Sequence, residues 1–323
     1  MIIKLGATGD VIRTTPLLRH LMEAYPEHEL WWISNTAEVL PSVVHQRIQW
    51  SLESVLTLES TPFDLVINLD KDPHACALMS RVHATERRGY TMVDGVVTPV
   101  DDRAVPKFLT GLFDDVNQAN TLSYPEEIFH VCGFPWNSQR YLLDAAGPSP
   151  ITLPSRKGAA VIGLNTGCGD RWQAREWPLE RWRELIVDMM SRGYVPVLLG
   201  GPAEHDRNVA LATTTGATYG GTFRHRQFFG IVNMCDVVVT TVTMTLHAAL
   251  GLEKRVVVMN NIFNPAEFEL YGQGELIQPE KPCTCFFKAE CTNPEYQCMT
   301  SISVDDIANA VERQLALVRA QTA

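Results

Sequence analysis

The chain has 323 residues, 46% hydrophobic and 20% charged, with a net charge of −10. That balance is ordinary for a globular protein and argues against a general nucleic-acid binder, whose surface is usually basic. The length exceeds the ~250–300 residues at which single cores stop growing, so two domains are expected. No run approaches the ~18–20 apolar residues of a membrane span.

In chain order, residues 1–5 (MIIKL) form a short apolar run and predict a first strand. Gly6-Ala7-Thr8-Gly9-Asp10 follows, and Val11, Leu17, Leu18, Leu21 and Met22 then recur at helical spacing. This turn lacks the full G-x-G-x-x-G spacing, so it supports a dinucleotide site only weakly. Asp10 stands at the helix entrance, where the ordinary role of an aspartate is an N-cap or a partner of the helix dipole. Residues 29–34 (ELWWIS) and 63–70 (FDLVINLD) predict strands. Between them, residues 37–45 suggest a helix weakened by Pro41. Asp72-Pro73 opens a helix to Val82, the region from Arg87 reads as short strands and loops, and residues 125–132 read as a short helix. This alternation implies a parallel sheet covered on both faces. The start, MIIKLGATGD, has no charged region followed by an apolar core, so a cytoplasmic protein is expected.

Residues 144–158 (DAAGPSPITLPSRKG) are the best linker candidate. The expected domains are therefore 1–150 and 151–323. Beyond the linker the alternation restarts. Residues 159–164 predict a strand that ends in Asn165-Thr166-Gly167-Cys168-Gly169, followed by Arg171, Arg175 and the helix start Trp177-Pro178. A strand, a glycine turn and a helix start with nearby arginines suit a phosphate, through free backbone N–H groups and basic charge. They equally suit a structural turn with surface arginines. Further strands are expected at 195–199, 236–241 and 255–259, and helices at 179–192, 228–234, 245–250 and 304–318. Two successive α/β sheets, each with a glycine turn after its first strand, suggest twin Rossmann-like domains facing a cleft.

Four pieces together resemble one family, glycosyltransferase family nine, which includes the ADP-heptose:lipopolysaccharide heptosyltransferases. The first is Lys4-Leu5-Gly6 with Gly9-Asp10-Val11-Ile12 and Pro16-Leu17-Leu18. The second is the 161–178 stretch with Trp177-Pro178 and Glu180-Arg181-Trp182. The third is Leu198-Leu199-Gly200-Gly201-Pro202-Ala203-Glu204, and the fourth is 240–250 followed by 256–259. Their order and spacing make the resemblance specific, and it covers nearly the whole chain. It implies a GT-B fold, with the acceptor on the N-terminal half and the nucleotide-sugar donor on the C-terminal half. It also implies inverting transfer without a catalytic metal or cofactor, and it makes Asp10 the general base. A carboxylate there takes the proton of an attacking hydroxyl, and the leaving diphosphate needs fixed donors and cations. Thr166, Gly167 and Arg175 match donor positions, with Arg175 replacing the usual lysine. Glu204 matches a position suited to ribose hydroxyls, and Thr243, Met244, Thr245 and His247 match the helix start facing the diphosphate.

The fourth motif departs from the family's Asp-(Ser/Thr)-Gly, because Val242, Thr243 and Met244 stand there. The implied reaction moves a heptose from ADP-heptose to a glycan or glycolipid acceptor such as lipopolysaccharide core, on a cytoplasmic protein with at most peripheral contact at the inner face of the inner membrane. The departure keeps three alternatives open: another nucleotide-sugar, a protein acceptor, or a non-catalytic nucleotide-sugar-binding subunit. Because the base and the donor site fall on separate halves, closure through the linker is expected. The apolar stripe Ile307, Val311, Leu315 and Val318 is expected to pack the last helix on the first half.

Cys283, Cys285, Cys291 and Cys298 form the pattern C-x-C-x5-C-x6-C. Four thiols so close together in a cytoplasmic chain favour a structural Zn²⁺ or iron over disulfides, although the spacing is not that of a standard zinc ribbon. Cys76, Cys132, Cys168 and Cys235 stand alone and read as reduced packing residues.

Overall fold

The β-branched runs become strands because both of their faces are buried. In the computed structural model, which describes residues 1–154, 158–169, 171–293 and 295–322, they belong to two units. The first unit holds Met1–Asp144 and Ala266–Glu269, and the second holds Ala145–Pro265 and Leu270–Ala323. The expected linker begins at this division, and its residues 155–157 lie outside the described ones.

The first unit runs β1 (Ile2–Ile3), α1 (Thr8–Ile12), α2 (Pro16–Ala24), β2 (Trp31–Ser34), β3 (Gln46–Gln49), α3 (Leu52–Glu59), β4 (Pro62–Asn68), α4 (Pro73–Arg81), β5 (His83–Val93), β6 (Val96–Pro99), α5 (Val105–Thr110), α6 (Asp114–Ala119) and α7 (Tyr124–Cys132). Its sheet has the order β3-β2-β1-β4-β5-β6, parallel except for the β5–β6 hairpin. The core under this sheet is built from Ile3, Leu5, Ile33, Val66, Leu78 and Met79. Two expectations are corrected here. The helix expected at 37–45 is only a 3-10 turn, Ala37–Val39, because Leu40, before Pro41, is extended, and a turn closed by the Val44 N–H on the Pro41 carbonyl leads on to β3. The region after Arg87 is not all strands and loops, since α5 and α6 follow the hairpin.

The second unit runs β7 (Val161–Asn165), α8 (Leu179–Ser191), β8 (Val195–Leu199), α9 (His205–Thr215), α10 (His225–Asn233), β9 (Val237–Thr241), α11 (Met244–Gly251), β10 (Arg255–Met259), β11 (Gly274–Ile277), α12 (Cys298–Ser301) and α13 (Val304–Thr322). Its parallel sheet has the order β11-β10-β9-β7-β8. Trp177 and Trp182 meet edge to face at 5.0 Å in the core, and the Trp177 indole N–H donates to the Ile302 carbonyl at 3.0 Å. Helix α13 is started by a reciprocal cap: Asp306 N–H donates to Ser303 Oγ at 3.1 Å, and Ser303 N–H donates to Asp306 Oδ2 at 2.9 Å. Ile307, Val311 and Leu315 are buried against α8 and the sheet of the same unit. That use of the stripe corrects the expectation that it packs on the first half. Among the described residues, no helix is long and apolar enough to cross a membrane.

Both sheets are doubly wound. In such sheets ligands bind beyond the carboxyl ends of the strands where the strand order reverses. In the first unit that point lies between β1 and β4, and in the second between β7 and β9.

Candidate functional site

In the first unit the reversal point is occupied by charge. Asp70, two residues past β4, accepts hydrogen bonds from the backbone N–H groups of Leu5 and Gly6, the latter at 3.0 Å, and pairs with the buried Lys4 ammonium. It therefore holds the loop after β1 that carries Asp10. A Cβ on Gly6 would stand 2.8 Å from Lys4 Nζ, 3.3 Å from Asp70 Oδ1 and 3.6 Å from Asp10 Oδ2, so all three charged groups converge there. Burial alone would depress the Lys4 pKa, but the Tyr124 phenol and the carboxylates of Asp70 and Asp10 outweigh it and the net direction is up.

Asp10 is not an N-cap. Ala7 holds that position without a side-chain hydrogen bond, and Asp10 lies in the first turn of α1. Its carboxylate pairs with Arg13 at 2.9 Å and its side chain is 36% exposed. The Arg13 guanidinium lies 3.5 Å from the centre of the Tyr124 ring and 3.7 Å from Glu267. Lys4, Asp70, Arg13, Tyr124 and Glu267 did not emerge as site residues from the sequence. Lys4 lay inside a quoted motif and Arg13 stands one helical turn beyond Asp10, whereas Asp70, Tyr124 and Glu267 come near only through the fold.

In the second unit the turn after β7 is held from below. Asn165 donates to the Gly167 carbonyl at 2.8 Å and to Thr240 Oγ1 at 3.2 Å, and accepts from Thr245 Oγ1 at 3.0 Å. Thr166 Oγ1 donates to Asn208 at 2.5 Å, and the Thr166 carbonyl accepts from Arg207 at 3.0 Å. Thr243 is the N-cap of α11, accepting from the Thr245 N–H at 3.2 Å. Thr245 and His247 are buried, and Met244 is half-buried at the helix start. Glu204 joins the two glycine turns: it accepts from Gly169 N–H at 2.9 Å and Gly201 N–H at 2.8 Å. A Cβ on Gly167 would stand 2.4 Å from Glu204 Cγ, so only glycine lets the two segments approach.

Arg175 lies on a 3-10 turn, Gln173–Arg175, and is 6% exposed. It donates to the Cys168 carbonyl at 3.3 Å and to the Val242 carbonyl, linking the glycine turn to the segment before α11. Among the described residues no carboxylate lies within ion-pair distance of it, and its Nε has no partner. Burial pushes its pKa down to about 10, so it stays charged at neutral pH. The turn is braced by the cysteine loop. Ala174 N–H donates to the Ala289 carbonyl at 2.8 Å, and Asn261 donates to the Ala174 carbonyl at 2.7 Å and to Cys298 Sγ at 3.1 Å.

Only part of the expected four-thiol centre is gathered in the cysteine loop. Cys285 and Cys291 are 3.9 Å apart between sulfurs, close to the ~3.8 Å edge of a tetrahedron with ~2.3 Å metal–sulfur bonds. The thiols are otherwise used locally: Cys283 Sγ accepts from Cys285 N–H at 3.3 Å, and Cys285 Sγ accepts from Thr292 N–H at 3.1 Å. Among the described residues, no three His, Cys, Asp or Glu side chains are gathered so as to hold one metal ion. Cys76, Cys132 and Cys235 are buried free thiols, as expected, and Cys168 is half-buried.

The profile of glycosyltransferase family 9 (heptosyltransferase) matches residues 54–297. No curated protein gives a match. Among solved structures, a glycosyltransferase family 9 protein from Veillonella parvula is 18% identical, with 98% of this chain and 96% of that one covered and a TM-score of 0.77. The E. coli heptosyltransferase WaaC with ADP-2-deoxy-2-fluoro heptose is 15% identical, with 97% and 98% covered and a TM-score of 0.65. The iron-containing dodecameric glycosyltransferase TibC from enterotoxigenic E. coli is 13% identical, with 98% and 77% covered and a TM-score of 0.61. The fold is thus that of the GT-B-type transferases, two Rossmann-like units in one chain.

Proposed function

Because this chain belongs to glycosyltransferase family 9, the heptosyltransferase family, and is a glycosyltransferase, we propose that it moves a heptose from ADP-heptose to a glycan acceptor such as lipopolysaccharide core, with inversion. On this reading residues 1–150 bind the acceptor and residues 151–323 the donor. Asp10 takes the proton of the acceptor hydroxyl as its oxygen bonds to the anomeric carbon, and the bond from that carbon to the diphosphate oxygen breaks. ADP leaves with its charge met by Arg175 and by the N-terminal N–H groups of α11, so no metal is assigned to the chemistry. Thr166, Gly167, Glu204, Thr243, Met244, Thr245 and His247 complete the donor site. The observation that carries this reading is Arg175, a buried guanidinium with carbonyl partners and no carboxylate among the described residues. Such a cation suits an incoming anion better than a structural ion pair does.

The donor is tested by thermal denaturation against ADP-, UDP- and GDP-sugars. ADP-heptose is expected to raise Tm most, since a ligand at 100 times its Kd stabilises by about 2.7 kcal/mol. A larger rise with a UDP- or GDP-sugar would overturn the ADP assignment. A second reading keeps the fold and chemistry but changes the sugar. It is favoured by Val242 and by the half-buried Met244, which stand where the family has Asp and Gly near the donor. Intact-mass detection of acceptors separates glycan from protein acceptors. We assign the enzyme to the cytoplasm at the inner face of the inner membrane, where such an acceptor is reached, and assign it no nucleic-acid partner.

Cys283, Cys285, Cys291 and Cys298 would hold a structural Zn²⁺ or iron. The four-thiol donor set, the Cys285–Cys291 spacing and the iron in the name of TibC support this. Such an ion would fix the loop that braces the Arg175 turn. Metal analysis of the purified protein is expected to give one ion per chain, lost in a Cys285→Ser, Cys291→Ser double variant together with part of the donor-induced Tm rise. Metal-free protein with a full donor response would rule the centre out.

A further inference from the structure

The Asp10 carboxylate forms a local ion pair at 2.9 Å. Its fixed partner is Arg13, three residues on, and Arg13 is gripped from behind. Tyr124, at the start of α7, lies under the guanidinium plane at 3.5 Å. Glu267 stands 3.7 Å from the other terminal nitrogen of Arg13, Nη1, whereas Asp10 meets Nη2, and Glu267 is itself fixed by Asn117, which donates to it at 3.2 Å. The Arg13, Glu267 and Asp10 side chains are 15%, 8% and 36% exposed, so the two anchors lie deep and the shared carboxylate is open. An ion pair serving stability alone gains most when both partners are fixed and satisfied. Here the open partner sits at the carboxyl end of β1, at the reversal point of the sheet.

We propose that Arg13 is a positioning residue for Asp10 and that Glu267, by sharing the same guanidinium, sets how strongly Arg13 holds the base in its ionised form. This rests on the reading of Asp10 as the base. Arg13 orients the carboxylate toward the attacking hydroxyl and keeps it deprotonated, while Glu267 limits that grip so the carboxylate still accepts a proton. The charged and titratable groups around the site are Lys4 and Asp70 on the β1 and β4 ends, Tyr124 on α7, Tyr141, and Glu267 with Glu269 in the 266–269 segment. Lys4 is neutralised by Asp70, so changes at Arg13 and Glu267 are expected to dominate the local charge.

The test uses the full chain, with ADP release from ADP-heptose in water as the readout, over a range of pH. Removing the positive charge in Arg13→Gln raises the proton affinity of the nearby carboxylate. The acid limb of kcat is expected to move up by about one pH unit, with kcat at its plateau down about tenfold and the donor KM unchanged. Glu267→Gln, which keeps the shape and the Asn117 contact, is expected to move the limb the other way, down by about half a unit. Arg13→Lys keeps the charge but not the fork, so it lowers kcat with the limb near its original place. A purely structural role predicts lower stability without opposite pH shifts. If Asp10→Asn is inactive yet Glu267→Gln and Arg13→Lys both leave the limb and kcat unchanged, the positioning role is overturned while the base assignment survives. If Asp10→Asn keeps full activity, the base assignment itself fails and the proposal fails with it. Should Arg13→Gln not fold, the other two variants still decide.

Discussion

Asp10→Asn is expected to lower kcat by about 10²–10⁴-fold, the usual range for loss of general-base catalysis, while leaving the donor-induced Tm rise intact. The substitution keeps the size of the side chain and removes its negative charge together with its capacity to take a proton. The fold should survive it. The Asp10–Arg13 pair is partly exposed, and pairs of that kind contribute at most about 1 kcal/mol. Arg13 also retains Glu267 as a counter-charge and Tyr124 as a stacking surface. Loss of activity with an unchanged melting curve and an unchanged donor response is the expected pattern. Full activity in the variant would remove Asp10 from the mechanism.

Arg175→Gln is expected to fail differently, losing both donor affinity and about 10²–10³-fold in kcat, the range seen when one preorganised donor to a developing oxyanion is removed. The effect should be large because the guanidinium is buried, and a charge in a dry site interacts more strongly with a phosphate than an exposed one does. Gln can still donate to the Val242 or Cys168 carbonyl, so the local fold has a partial replacement. Arg175→Lys restores the charge without the bidentate fork and is expected to recover part of the lost rate. Isothermal titration with ADP, alongside ADP-release kinetics, separates the two losses. Equal donor affinity and rate in Arg175→Gln would leave the buried cation without its assigned role.

The sheets were legible from sequence because their strands are buried on both faces and so read as continuous apolar runs, as in FDLVINLD and DVVVTT. The polar edge strand Gln46–Gln49 carries no such signal, and its identity depends on pairing with Trp31–Ser34. Helices α5 and α6, of six residues each, are too short for periodicity to show, and much of their surface is exposed. The hairpin before them did carry a local mark: Asp94-Gly95, at φ 51° and 80°, is the residue pair that tight hairpins favour. In the site, the glycine turns and Arg175 could be found because their chemistry is local. Asp70, Asn208 and Glu267 could not, since each is defined by partners 42 to 254 positions away that only the folded chain supplies.

One topological detail constrains how this enzyme can be taken apart. The four residues Ala266–Glu269 belong by packing to the first unit but are encoded within the second. A fragment ending at residue 144 would lack Glu267, leaving the Arg13 guanidinium with Asp10 as its carboxylate partner and the Tyr124 ring, and removing one acceptor of Asn117, which also donates to the Thr110 carbonyl. The same holds for recombination between relatives: a single crossover near residue 144 would join a first half from one parent to a 266–269 segment from another. Halves exchanged in that way inherit a mismatched Arg13 pocket unless the short segment is transplanted with the N-terminal piece, so functional chimeras of this chain should require two splice points more than the junction alone suggests.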